Sequence, residues 1–108
     1  MRRLLLLLLL TACAPARSYK RFPSAPALPP SAVTARVDRP PGRAVLIGTA
    51  TVQVKRNESE ETCALAALAE ARRAGATHAV IQPAKKGWIT GWFNGPKCTA
   101  DAFYLPPQ

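Results

Sequence analysis

Histidine is nearly missing from this chain: one, His78, occurs in 108 residues, and no Cys-x-x-Cys pair accompanies it. Zinc and similar metals need three or four nitrogen, sulfur or oxygen ligands at close spacing, so neither a metal nor another cofactor is expected. No Ser-His-Asp ordering and no nucleophile elbow is present. Asp101 and Tyr104, the one pairing that suggests acid–base chemistry, fall on opposite faces of an ideal strand. The glycines do not open a helix, so no phosphate-cradling loop is formed. An enzyme is not expected. Long apolar runs are also lacking. The longest, seven leucines at positions 4–10, is far short of the roughly 20 residues that cross a bilayer. Acids are few, six against fifteen Lys and Arg, for a formal net charge of +9.

The chain opens instead with Arg2-Arg3, the seven leucines and then Thr11-Ala12-Cys13. A cationic start, a short apolar stretch and small residues at its end form the layout of a secretory signal peptide. Leu10-Thr11-Ala12-Cys13 resembles a bacterial lipobox. That resemblance implies cleavage after residue 12, a diacylglycerol on the Cys13 sulfur and an acyl chain on its new amino group. Two or more chains hold a protein stably to a bilayer, where one does so only marginally. The plainer alternative is an ordinary cleaved signal with Cys13 near its end. Ala14, where enterobacterial inner-membrane lipoproteins carry Asp, implies the outer membrane with the domain in the periplasm. Export argues against a nucleic-acid partner despite the positive charge.

With Cys13 lipidated, Cys63 and Cys98 are left to pair in an oxidising compartment. A bridge across 35 positions would stabilise a small domain by roughly 3 to 4 kcal/mol in a chain-entropy account. Two free buried thiols are the competing reading.

Residues 14–41 hold seven prolines, with Arg17, Lys20, Arg21, Arg36 and Arg39 against Asp38, a net charge of +4. Neither helical nor strand periodicity is evident, so residues 13–41 are expected to form a lipidated start and a disordered, semi-rigid tether. A small domain is expected over residues 42–108. In residues 43–54, Leu46, Gly48, Ala50, Val52 and Val54 alternate with Val45, Ile47, Thr49, Thr51 and Gln53. This predicts a strand whose first, wholly apolar set faces a helix and whose second is half-exposed. Gly48 and Ala50 are expected to let that helix approach closely.

Residues 60–74 predict the helix itself. Ser59 or Asn57 caps it, Glu60 and Glu61 sit at the positive end of its dipole, and Gly75 supplies a left-handed stop. Its buried stripe is expected to be Ala64, Leu65, Leu68 and Ala71. Residues 77–82 and 98–105 predict two more strands. The first would pair in parallel with residues 43–54 through the crossover helix, and the second would return antiparallel. The expected fold is α+β, a βαββ domain with one helix on a three-stranded mixed sheet, stapled by one disulfide.

The early strand, the helix bearing Cys63, the turn Gly75-Ala76-Thr77-His78-Ala79-Val80 and the closing Cys98-Thr99-Ala100-Asp101-Ala102-Phe103-Tyr104 resemble small proteobacterial outer-membrane lipoproteins. More distantly they resemble the Rcs envelope-stress sensor lipoprotein. The resemblance spans about 65 residues and implies fold and compartment, not an activity. The stress sensor uses two bridges, whereas one cysteine pair is available here.

The segment Lys85-Lys86-Gly87-Trp88-Ile89-Thr90-Gly91-Trp92-Phe93-Asn94-Gly95-Pro96-Lys97 contains both tryptophans, with lysines flanking its aromatics. Aromatic and cationic side chains together suit binding hot spots, stacking on sugar rings and membrane interfaces. Lys85, Lys86, Trp88, Trp92 and Phe93 are the candidate binding residues. A hairpin whose tryptophans fold back over the core is the alternative. The expected role is non-enzymatic: an anchored envelope lipoprotein that binds a protein partner or cell-wall component. An accessory subunit of a secretion or conjugation apparatus is the second reading.

Overall fold

The computed structural model describes residues 16–82 and 95–107. Five strands and one helix are formed: β1 (Ala16–Arg21), β2 (Ala35–Arg36), β3 (Val45–Gln53), α1 (Glu60–Arg73), β4 (His78–Gln82) and β5 (Lys97–Tyr104). The strands make one mixed sheet in the order β1-β3-β5-β4-β2, and α1 packs on one of its faces. The α+β architecture expected from the periodicity is present, with its helix and three of its strands within two residues of the anticipated bounds.

Small side chains bring the helix close. Cys63, Ala64, Ala67 and Ala71 are the buried residues of α1, and they meet Ala50, Val52, Ala79, Ala100 and Ala102 of the sheet, all with no exposed surface. Leu65 does not join the expected stripe and is 56% exposed. The helix is turned so that Cys63 and three alanines face the strands, while Leu68 packs at the margin of the core. Both helix ends follow their sequence signals. The Ser59 hydroxyl accepts from the Thr62 amide at 3.1 Å. At the other end Gly75 has φ +92°, with Gly75 N–H donating to Arg72 O at 3.0 Å and Ala76 N–H to Ala71 O at 3.1 Å. These two bonds are those of a Schellman stop.

Three features differ from expectation. First, β3 and β4 do not pair; β5 lies between them, antiparallel to both. Cys98, Ala100 and Ala102 give β5 the continuous buried row that a central strand needs. Second, the β3 register shifts between Leu46 and Gly48. The irregularity brings Ile47 to the helix face, where it is 2% exposed, and leaves Leu46 at 36%. Thr49, Thr51 and Gln53 keep the half-exposed face predicted for them.

Third, residues 16–41 are not a free tether. β1 pairs antiparallel with β3 from Ala16↔Gln53 to Arg21↔Gly48, and β2 pairs parallel with β4. Between them the chain passes the C-terminal end of α1: Ser31 N–H donates to Arg72 O at 2.9 Å, and the Thr34 hydroxyl to Ala76 O at 2.6 Å. Ala25 and Leu28 pack against the lower core. Every proline of this stretch falls outside the two strands, and both strands lie at sheet edges. The average composition therefore concealed two short, proline-free edge strands. Cations Arg17, Lys20 and Arg21 on β1 also discourage pairing with other chains.

Gly48 makes room for β1 rather than for the helix. A Cβ there would meet the Tyr19 ring and the Lys20 carbonyl, whereas one at Gly42 would meet nothing. Tyr19 packs against both core clusters, and burial pushes its phenol above its ordinary pKa, with nearby Arg21 opposing the rise. Gly48→Ala is expected to cost about 1 to 3 kcal/mol by overpacking, and Gly42→Ala to change stability by less than about 0.5 kcal/mol, both read from urea unfolding. Hydrogen exchange tests β1 directly. Phe22 N–H donates to Ile47 O at 3.0 Å, so by the two-residue period of an antiparallel ladder the Ser18, Lys20 and Phe22 amides should be protected. Fast exchange at all three would restore the tether.

Candidate functional site

Several chain ends meet at one end of the sheet. Ala16 pairs with Gln53 and Gln53 with Lys97, while Gln82 pairs with Thr99 beside them. The start of β1, the ends of β3 and β4 and the start of β5 therefore lie together. The start of α1 joins them through its first turn, because Cys63 is bonded to Cys98 with their Cα atoms 5.8 Å apart. That separation lies in the usual range for a disulfide, and both cysteines are buried. The pairing of Cys63 and Cys98 stands as expected, and it pins helix to sheet.

The chain between Gln82 and Gly95 leaves and returns at this end. Its returning foot is held firmly. Gly95 N–H donates to Val54 O at 3.1 Å and Val54 N–H to Pro96 O at 3.2 Å. The Gln53 side-chain amide donates to the carbonyls of Gly95 and Pro96. A Cβ at Gly95 would overlap the Lys55 carbonyl, so only glycine allows the two backbones to approach this closely. Lys85, Lys86, Trp88, Trp92 and Phe93 lie outside the described residues, as does Cys13. The structure shows the platform from which the aromatic segment departs, not the segment.

Lys55, Arg56 and Lys97 are exposed around this platform. Among the described residues the ion pairs are Arg17–Glu70 at 3.5 Å, Arg36–Glu61 at 3.3 Å and Arg73–Glu70 at 3.2 Å, which leaves those three cations without an acidic partner there. Glu60 and Glu61 occupy the first turn of α1, where the positive end of the helix dipole favours them. Cationic surface at this end could not be foreseen, because Lys55, Arg56 and Lys97 come from segments that only the sheet register brings together.

Other groups considered for chemistry are dispersed. His78 Nδ1 lies 2.9 Å from the Thr77 hydroxyl, which also accepts from the Leu105 amide at 2.8 Å; the ring is part of a structural network. Asp101 accepts from Gln82 Nε2 at 3.0 Å on the helix-free face, while Tyr104 packs against the core on the other. The two are indeed separated by the sheet. Depressions of about 260, 190 and 280 Å³ are bounded by described residues, each below the roughly 300 to 1,000 Å³ of small-molecule sites. The first adjoins the disulfide, lined by Arg36, Glu60, Glu61, Ala64, Gln82 and Cys98 among others. Among the described residues no group of three or more His, Cys, Asp or Glu could hold a metal ion, and no helix is long and apolar enough to cross a membrane.

Comparison of the chain with known protein families, curated proteins and solved structures finds no match.

The disulfide carries a direct test. Cys63→Ala, Cys98→Ala and reduction of the unmodified protein should each lower stability by roughly 3 to 4 kcal/mol, with the double substitution adding little to either single one. Denaturant midpoints with and without reductant measure this; a reductant-insensitive midpoint would show that the bridge contributes nothing.

Proposed function

We propose that this chain is a membrane-anchored lipoprotein of the bacterial envelope, held by acylated Cys13, with a non-enzymatic binding role. The observation that carries the reading is the leader: Arg2-Arg3, the leucine run and Leu10-Thr11-Ala12-Cys13. The cysteine count supports it. Cys63 and Cys98 are bonded to each other, so Cys13 is the remaining thiol, and lipidation gives it a use. A buried disulfide is also at home outside the reducing cytosol. Ala14 favours the outer membrane, with the domain in the periplasm.

The domain's contribution is recognition of a protein partner or envelope component. Its best candidate surface is the segment bearing Lys85, Lys86, Trp88, Trp92 and Phe93, displayed from feet that the disulfide and the Gly95–Lys55 contact hold in place. Binding residues are commonly carried on loops that a rigid scaffold positions. The second reading, an accessory subunit of a secretion or conjugation apparatus, draws on β1. One side of this six-residue edge strand is unpaired among the described residues, and such an edge accepts a strand from a neighbour whose acidic side chains offset Arg17, Lys20 and Arg21. Crosslinking in intact cells separates the readings. A recurrent stoichiometric complex supports the apparatus, and scattered or cell-wall adducts support the first.

Cys13→Ala is expected to abolish metabolic labelling with palmitate and to release the protein from the membrane fraction; unchanged labelling refutes the anchor. Trp88→Ala and Trp92→Ala should leave the melting temperature unchanged while weakening retention of envelope partners. A large drop in melting temperature from both would mean that the tryptophans serve the core.

A further inference from the structure

The sheet register determines which end of the domain the anchor meets. β1 begins at Ala16, three positions after Cys13. At no more than about 3.6 Å per residue, the acylated cysteine lies within about 11 Å of the first paired residue. A lipid anchor with so short a connection cannot hold the domain away from the bilayer. It also enters at a defined place. Ala16 is paired with Gln53, which is paired with Lys97, so the connection emerges beside Lys97 and the end of β3, with Lys55 and Arg56 following directly. The opposite end of the domain, marked by the C-terminal end of α1 and by residues 22–34 packed against it, lies the full length of β1 and α1 away.

Resting on the reading that Cys13 is acylated, we propose that the domain stands end-on against the membrane that anchors it, with Lys55, Arg56 and Lys97 turned toward anionic lipid headgroups. Three arguments converge on this occupant. The first is the reach from Cys13. The second is charge: these three side chains are exposed and lack acidic partners among the described residues, and basic residues at a membrane surface are attracted to acidic lipids. Nearby acids reduce this charge without reversing it: Glu61 is engaged by Arg36, and Glu58, whose amide donates to Lys55 O, and Glu60 in the first turn of the helix leave the three cations in excess. The third is topology: the chain that leaves at Gln82 and returns at Gly95 does so at this same end and has no acid in its sequence. The envelope component first met by this end is then the bilayer itself, and a protein partner would be met on the sides or the far end.

Lysine footprinting on the full acylated protein tests the orientation. The protein is reconstituted in phosphatidylglycerol-containing vesicles, floated on a density gradient, treated briefly with an amine-reactive ester and mapped by mass spectrometry. Lys20, four residues along β1 from Ala16 and pointing to the helix-free face, is the internal reference. Labelling of Lys55 and Lys97 relative to Lys20 should fall several-fold compared with soluble Cys13→Ala protein, and the protection should weaken in vesicles of phosphatidylcholine alone. Flotation with unchanged relative labelling overturns the orientation and leaves the anchor standing. Failure to float removes the anchor and the orientation with it.

Discussion

The close contact between an alanine-faced helix and an alanine-lined sheet governs this domain. Ala64, Ala67 and Ala71 face a sheet whose buried row includes Ala50, Ala79, Ala100 and Ala102, and side chains this small let the two layers approach closely. Ile47, Val52 and the two cysteines are the largest fully buried side chains. Each alanine removes little apolar surface from water, and hydrophobic stabilisation is proportional to that area. A core of this kind gains much from a covalent link, which the Cys63–Cys98 bridge supplies at the helix start, and from a firm stop at the helix end. The close approach also explains why Leu65 points outward and why the strand beneath the helix centre is β5.

Edge strands complete the layer. β1 and β2 come from a stretch rich in proline and arginine, yet they close both sides of the sheet and bracket the C-terminal end of α1. Tyr19 is the side chain that makes this work. It lies over Gly48 and reaches both halves of the core, supplying the bulk that the alanines lack. The proline-rich connections restrict the unfolded chain more than flexible ones would, which lowers the entropy lost on folding.

Placing β1 in the sheet changes the functional picture. On the proposal that Cys13 is acylated, a tether of some thirty residues would let the domain range away from the bilayer, whereas a first strand that begins at Ala16 would hold it there by one end. The disulfide, the start of β1 and the cations Lys55, Arg56 and Lys97 belong to a single region. On that proposal, recognition at this end is a matter of lipid and of what lies next to it. The unpaired edge of β1 and the apolar flank near Val33 and Leu65 remain on the sides.

Local signals were legible in the sequence. The Ser59 cap, the Gly75 stop and the alternation in β3 and β5 are all set by neighbours a few residues apart, where backbone preference and side-chain period act directly. The disulfide was legible as well, by counting. Tertiary structure alone decided the rest: that β5 enters between β3 and β4, that an irregularity near Leu46 exchanges it with Ile47, that α1 turns its alanines inward, and that residues 16–21 are a strand. Each of these depends on shape and space supplied by residues distant in the chain. An edge strand such as β1 acquires its conformation from the partner it pairs with, and its own composition carries almost no trace of that pairing.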